Sequence, residues 1–278
     1  MRRIHLIEFH EQPWFPPSFR DQITDALQFG MNLVNAYGPI APLLQSALDS
    51  ERRQANGGQA KSGQSVIDLC SGGGGPWTGL WSDLSRQLEP ESLSAESRNL
   101  RIWLTDQFPN IEAFERVRAG SENHITYYPG PVDAMSVPPQ LKGFRTMFTS
   151  FHHFSAEEGR AILQNAVDAG EGIGIFEISR RAASTVFLTV ALVSMLFVCM
   201  PWIRPFRWPR LFWTYVVPIV PLVLLFDGVV SCLRTYRPGE LRELVRKLEG
   251  RGYRWEIGEQ LSGKAPITYL IGYPPVRV

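Results

Sequence analysis

The sequence predicts an α/β protein built on an open, mostly parallel sheet with helices on both faces. Three observations carry that prediction. The apolar residues Val66, Ile67 and Leu69, broken only by Asp68, run into four consecutive glycines, Gly72 to Gly75. A second run, Leu100 to Asp106, also ends in an acid. From there to about residue 178, short apolar runs alternate with segments of helical periodicity. Buried parallel strands read as continuous apolar runs, and the ligand crevice of an open sheet lies beyond their carboxyl ends.

At 278 residues the chain is long enough for one large domain with appendages and a sizeable core. A net charge of +1 argues against a broad nucleic-acid-binding surface. Cys70, Cys199 and Cys232 are odd in number and far apart, so they offer neither a disulfide framework nor a zinc pattern. The first ten residues have two arginines but no sustained apolar stretch. That is not a secretory signal, and a catalytic part on the cytoplasmic side is expected.

Residues 1–19 are rich in aromatics and prolines, including Trp14, Phe15, Pro16 and Pro17. Ser18 can cap a helix in which Ile23, Leu27, Met31 and Val34 recur every three or four residues. Leu43, Leu44, Ala47 and Leu48 resume the pattern after Pro39 and Pro42. This region either packs on the sheet or forms a lid over the glycine bend, with Trp14, Tyr37 or His10 facing substrate. Residues 50–64 are polar and read as a linker, so 1–64 is taken as a helical cap. Thr78 to Leu88 reads as the first crossover helix and Glu89 to Asn99 as a polar insertion. Phe108 to Ala119 is the next helix, Ile125 to Tyr128 a third strand, and Phe144 onward a fourth that enters Ser150-Phe-His-His-Phe154. Ser155 and Glu158 form a capping box for a helix to Ala169, and Gly172 to Ile178 is a fifth strand. After the apolar region described below, a helix carries Leu241, Leu244, Val245 and Leu248 on one face. Tyr253 to Ile257 and Ile267 to Tyr273 read as the last two strands.

The glycine bend lacks the Gly-Lys-Ser/Thr of a triphosphate-binding loop. It also misses the dinucleotide spacing, because the third glycine position falls on Trp77 or Thr78. An acid at the end of the strand repels a pyrophosphate but accepts hydrogen bonds from a cationic group. The ligand chemistry that fits is a nucleoside carrying an amino acid. Asp106, ending the second strand, is placed to accept both hydroxyls of a ribose. Asp133 and the small Ala134, just past the third strand, suit an adenine amino group and ring, or else make an ordinary turn.

Together the run Val66–Gly75, Asp106, Asp133-Ala134, Ser150–Phe154 and the strand to Ile178 resemble the class I S-adenosylmethionine-dependent methyltransferases, in particular the small-molecule, quinone-type branch. The resemblance covers about residues 65–180 and resumes at 231–278. It implies a Rossmann-like seven-stranded methyltransferase sheet whose last two strands form an antiparallel edge hairpin. It implies S-adenosylmethionine as cofactor. Asp68, Cys70, Ser71, Gly72, Gly73 and Gly74 would lie around its methionine part, Asp106 and Gln107 at the ribose, Asp133 and Ala134 at the adenine, with Ser150 and Phe151 completing the site. Cys70 departs from the pattern, standing where the first glycine of the motif is usual. A side chain there is expected to crowd the turn.

Ala182 to Ile203 contains no charged residue, and at ~1.5 Å per residue a helix of that length crosses a hydrocarbon core of ~30 Å. Leu211 to Phe226 is a second apolar run, interrupted by Pro218 and Pro221 and ended by Asp227. Arg204, Arg207, Trp208 and Arg210 lie between them and suit a headgroup region. The sequence therefore reads as a membrane hairpin, 181–233, inserted between the core, 65–180, and a closing C-terminal unit, 234–278. A spanning hairpin would carry three arginines across the bilayer; a re-entrant or in-plane one would not.

Methyl transfer from a sulfonium needs alignment and exclusion of water more than covalent help. His152 and His153, where the family's loop meets substrate, are the candidates for a base, or else they shape the loop. No metal site is expected, because His5, His10 and His124 share no motif. The leading expectation is methyl transfer to a hydrophobic, lipid-like or quinone-like acceptor at a membrane. The alternative is a non-catalytic membrane adaptor that keeps the fold. A nicotinamide oxidoreductase fails on the glycine spacing.

Overall fold

The computed structural model describes residues 2–55, 64–87, 100–250, 252–262 and 265–275. The stretch Glu89–Asn99 and most of the linker 50–64 lie outside the described residues.

Seven strands, β1 (Ser65–Asp68), β2 (Arg101–Leu104), β3 (Ile125–Tyr127), β4 (Phe144–Phe148), β5 (Ile173–Glu177), β6 (Arg254–Ser262) and β7 (Ala265–Tyr273), form one sheet in the order β3-β2-β1-β4-β5-β7-β6. The first five are parallel, and β7 runs antiparallel to both β5 and β6. This is the expected methyltransferase-like sheet with its edge hairpin. The chain reverses its direction of travel across the sheet between β1 and β4, so their carboxyl ends flank the switch-point crevice.

The helices are α1 (Pro17–Leu33), α2 (Ala41–Ala55), α3 (Trp77–Gln87), α4 (Ile111–Ala119), α5 (Ala156–Ala169), α6 (Ala183–Cys199), α7 (Trp208–Leu211), α8 (Ile219–Arg234) and α9 (Pro238–Arg246). Successive strand residues point to opposite faces, so Val66, Ile102 and Phe144 join one core with Leu44, Leu80 and Phe114, while Ile67, Met147 and Ile175 join a second with Ile162, Leu163 and Leu241.

Several boundaries differ from the sequence reading. Helix α1 begins at Pro17 with no side-chain cap, because a proline at the first helical position needs no N–H partner; Ser18 lies inside the first turn. Helix α4 starts only at Ile111, after Pro109, where Asn110 accepts the N–H of Ala113. The capping box at Ser155 and Glu158 is present.

The second apolar run is bent by 76° between Trp208–Val216 and Ile219–Arg234. Pro218 precedes α8, and Pro221 falls in its first turn, where a proline is tolerated. Asp227 does not end this helix, which continues to Arg234. Its carboxylate is buried and accepts the backbone N–H groups of Phe9 (2.8 Å) and His10 (3.1 Å). A third apolar cluster joins the hairpin to the N-terminal region through Phe15, Ile23, Ala26, Met200, Ile203, Val220 and Leu224. The aromatics of residues 1–19 thus cover the hairpin: Phe9 packs on Phe226 and Phe19 on Trp213.

Both ends of the hairpin rest on the globular body. Arg181 pairs with Glu240 where α6 begins. At the far end Arg207 pairs with Glu112 of α4 (2.5 Å), and Arg210, fully buried, pairs with Asp25 of α1 (2.7 Å).

Candidate active site

The bend after β1 is built from residues in left-handed backbone: Cys70 (φ 58°), Gly72 (55°), Gly74 (103°) and Gly75 (57°). Cys70 takes the conformation that glycine favours, at a cost of roughly 1–2 kcal/mol. Its side chain packs against the cluster of Ile67, Leu69 and Ala134, so the turn forms without being crowded. Burial, together with Asp106 and Asp68, pushes the Cys70 thiol well up, which makes it a poor nucleophile.

Asp68 is buried beneath the bend. One carboxylate oxygen accepts the hydroxyl of Thr146 (2.7 Å) and the other that of Ser71 (2.6 Å). Burial lifts its pKa to about 7, against the opposing effect of the Ser71 and Thr146 hydroxyls. The structure thus gives Asp68 a buttressing position inside the turn.

Asp106 reaches the bend directly. Its Oδ2 accepts the N–H of Gly72 (2.7 Å) and its Oδ1 that of Phe108 (2.8 Å), and the residue stays half-buried at the crevice. Gln107 beside it is exposed. Arg20 lies over the ring of Phe108 at 4.0 Å. Asp133 is exposed and its Oδ1 accepts the N–H of Met135, an Asx turn, while Ala134 is buried behind it. Ser150, at the end of β4, holds a buried Oγ with no hydrogen-bond partner among the described residues. Phe151 is fully buried, against Gly159 and Tyr236, and so belongs to the core.

Helix α1 roofs the far side of the bend. A Cβ on Gly73 would stand 2.7 Å from the carbonyl oxygen of Thr24, and one on Gly74 would meet Gln28 and Val117. These glycines therefore permit close approach of a helix. Of the three residues read as facing substrate from this region, Tyr37 is buried with its hydroxyl on Thr149, Trp14 is exposed, and His10 joins the cluster described next.

That cluster lies beyond β4 and β5. His152 is 1 % exposed and its Nδ1 meets the Glu177 carboxylate at 2.8 Å, while Glu177 also accepts its backbone N–H (3.1 Å). His153 is more open, with Nδ1 at 3.0 Å from Glu11 and Nε2 at 3.5 Å from Glu8. His10 Nδ1 meets Asp227 at 2.8 Å. Burial depresses the pKa of His10, but the Asp227 hydrogen bond and the Glu8 charge outweigh it, so the net shift is upward. Arg234 bonds the carbonyls of His152 and His153 and pairs with Glu11 at 2.9 Å. Sequence reasoning missed Glu8, Glu11, Glu177, Asp227 and Arg234. Glu177 carried a usable signal, since it is a third acid closing an apolar strand. The absence of a shared histidine motif is true along the chain only, because folding sets His10 beside His153.

No protein-family model matches the chain, and no curated protein is similar to it in sequence. Among solved structures, the plantazolicin methyltransferase BpumL in complex with SAH is 11% identical, covering 93% of this chain and 96% of its own, with a TM-score of 0.49. Human N-acetylserotonin methyltransferase in complex with SAM is 13% identical, covering 90% of this chain and 56% of its own, with a TM-score of 0.48. A Rhodobacter sphaeroides structure described as a zinc-dependent alcohol dehydrogenase is also 13% identical, covering 88% and 98%, with a TM-score of 0.44. Likeness at this level assigns no activity, which has to be argued from the site.

Proposed function

We propose that the chain transfers a methyl group from S-adenosylmethionine to a hydrophobic, lipid-like or quinone-like acceptor at a membrane surface. The observation that carries this reading is the Asp106 carboxylate. It sits half-buried at the end of β2 with one oxygen on the glycine bend of β1, beside the switch point of the sheet. Each of its oxygens keeps a lone pair for a ribose diol. The buried Ser150 Oγ, which lacks a partner among the described residues, is a second group suited to a polar ligand at the neighbouring strand end. When bound, the cofactor supplies an electrophilic methyl on a sulfonium. The bend, Asp106 and Asp133 would hold its amino acid, ribose and adenine parts, and α1 would exclude water from above. His153, with Glu11 fixing its Nδ1, is the better placed histidine to take a proton at Nε2 from an acceptor, since His152 is enclosed.

The membrane part of the reading rests on the large apolar side chains that the hairpin leaves exposed. Phe187 is 72% exposed, Trp208 75%, Val216 67% and Leu222 60%, all on the inserted hairpin. Such a patch on a soluble protein marks an interaction surface. Because Arg207 and Arg210 are held on α4 and α1, we favour a hairpin lying in the membrane plane over one that spans it. A quinone-like or lipid acceptor would then reach the site without leaving the bilayer.

A non-catalytic adaptor is the second reading, favoured by the close roof of α1 over Gly73. Calorimetric titration of the detergent-solubilised protein with S-adenosylmethionine separates the two. Binding that weakens at least tenfold in a folded Asp106→Ala variant supports the enzyme; no binding by the wild-type chain removes it.

A further inference from the structure

We propose that Glu8, His10 and His153 form a binding site for a divalent transition-metal cation of the Zn2+ type. Each contributes one ligand-capable atom, and the three atoms lie within 4.8 Å of one another. Glu8 Oε2 is 3.5 Å from His153 Nε2 and 3.9 Å from His10 Nδ1. Tetrahedral ligands on Zn2+ stand about 3.3 Å apart, so small side-chain adjustments close the site.

The independent observation is Glu8 itself. It is 0% exposed, and neither carboxylate oxygen has a hydrogen-bond partner among the described residues. A buried carboxylate in that state is costly unless a cation completes it. Arg234, 3.4 Å away, lies on the Oε1 side and leaves Oε2 to the two histidines.

The surroundings have the form expected around a metal. Ligating histidines hand their second ring nitrogen to a carboxylate, which fixes tautomer and orientation. His153 does so with Glu11, leaving Nε2 toward Glu8; the His10 Nδ1 near Glu8 is the atom bonded to Asp227, so binding through it exchanges that bond for the ion. His152, paired with Glu177, brings its buried Nε2 to 3.6 Å from Glu8 Oε1 and stands by as a neighbouring donor. Glu8, Glu11, Glu177 and Asp227 outnumber the guanidiniums of Arg234 and Arg3, so the local charge favours a cation. Nitrogen and carboxylate donors suit Zn2+ and its neighbours better than Ca2+ or Mg2+. The ion would join the N-terminal segment to the loop after β4, next to α8. Nε2 of His153 cannot hold an ion and accept a proton at once, so an occupied site takes the place of the base role proposed for it above; the inference does not depend on methyl transfer, and its readout is metal content.

The full-length protein in detergent, stripped with a chelator, is titrated with ZnCl2 and CoCl2 and its metal content measured after dialysis. One tightly held equivalent is expected, with Co2+ giving the intense visible bands of a low-coordinate site. Glu8→Gln and His153→Gln should each bind at least tenfold more weakly, and His124→Gln, whose ring stacks on Trp81, should bind like the wild type. Substoichiometric binding by the wild-type chain overturns the proposal, a result that needs no variant to fold. Full binding retained in both Glu8→Gln and His153→Gln also overturns it.

Discussion

Replacing Asp25 by alanine should unfold the contact that pins the tip of the apolar hairpin. Asp25 and Arg210 both have fully buried side chains, joined at 2.7 Å, and the second oxygen of Asp25 holds Arg116 at 2.6 Å. Without the carboxylate, Arg210 keeps only the carbonyls of Ile203 (2.9 Å) and Pro205 (3.1 Å), and its charge stays buried without a counter-ion. Removing one partner of a buried pair costs about 3–5 kcal/mol. Arg116 is nearly a third exposed, so its share is small. At roughly 2–4 °C per kcal/mol, the midpoint of thermal unfolding in detergent should fall by roughly 6–20 °C. The double variant Asp25→Leu/Arg210→Met should recover most of that loss, since removing both charges is often neutral or stabilising by about 1–4 kcal/mol. A change below about 0.5 kcal/mol in Asp25→Ala, the value for an ordinary surface site, would refute the reasoning. It would mean that residues 204–210 are not held on the body, which is the arrangement a spanning hairpin requires.

Two further outcomes follow from the same residues. Asp68 and Glu51 have folded-state pKa values raised to about 7 by burial, so the native state binds more protons than the unfolded chain between their ordinary values and about 7. Stability from these groups is full below about pH 4 and is lost as pH rises through 7, by a few kcal/mol; denaturant titrations from pH 5 to 8 should show the fall, and Asp68→Asn should remove the Asp68 share of it, leaving that of Glu51. Glu11 acts oppositely: its pKa is drawn down to about 2, by His153 and Arg234 against burial, so its contribution disappears as pH drops from 4.5 toward 2. At the apolar face, Trp208→Glu and Phe187→Glu should leave the unfolding midpoint unchanged, because both side chains are exposed. Each should nevertheless weaken flotation with phosphatidylcholine–phosphatidylglycerol vesicles by roughly tenfold or more, at about 1.5–3 kcal/mol per aromatic buried. Unaltered flotation in the double variant would exclude this face as the contact.

The sheet was legible because buried parallel strands leave an unusually plain trace. Val66–Leu69 and Gly172–Ile178 are apolar but for one acid each, Phe144–Phe148 keeps three apolar residues around Arg145 and Thr146, and each lies between segments of helical period. The acids Asp68 and Asp106 marked strand ends that the fold places side by side, and Asp106 does touch the bend. What the chain order concealed was contact across distance. Glu8 meets His153 from 145 positions away, and Asp227 takes the N–H groups of residues 9 and 10. No local period encodes such a meeting. Asp227 ends the apolar run along the chain, and only the fold shows that distant N–H groups meet it inside a helix that runs on to Arg234. The glycines of the bend were read as room for a ligand, and Gly73 turns out to make room for Thr24 as well.

Those distant contacts decide what the hairpin is. Were it an appended membrane tether, its removal would leave the strand ends intact, and its helices would need only apolar contacts. Instead α8 carries Asp227, with Phe9 and His10 bound to it, and Arg234, which bonds the carbonyls of both loop histidines. Ile4 donates its backbone N–H to the carbonyl of Leu233, and the Arg3 side-chain Nε donates to the carbonyl of Arg234 at 2.5 Å. The N-terminal segment is therefore held between hairpin and loop by bonds from several of its groups, while the Glu8 carboxylate is left without a hydrogen-bond partner among the described residues. A buried carboxylate in an apolar helix survives only where donors meet it, and losing them would strand the charge at a cost of about 1–3 kcal/mol for each hydrogen bond left unmade. The hairpin, the first sixteen residues and the loop after β4 thus order one another, and a displacement of α8 by contact with a bilayer would be felt first at His10 and His153.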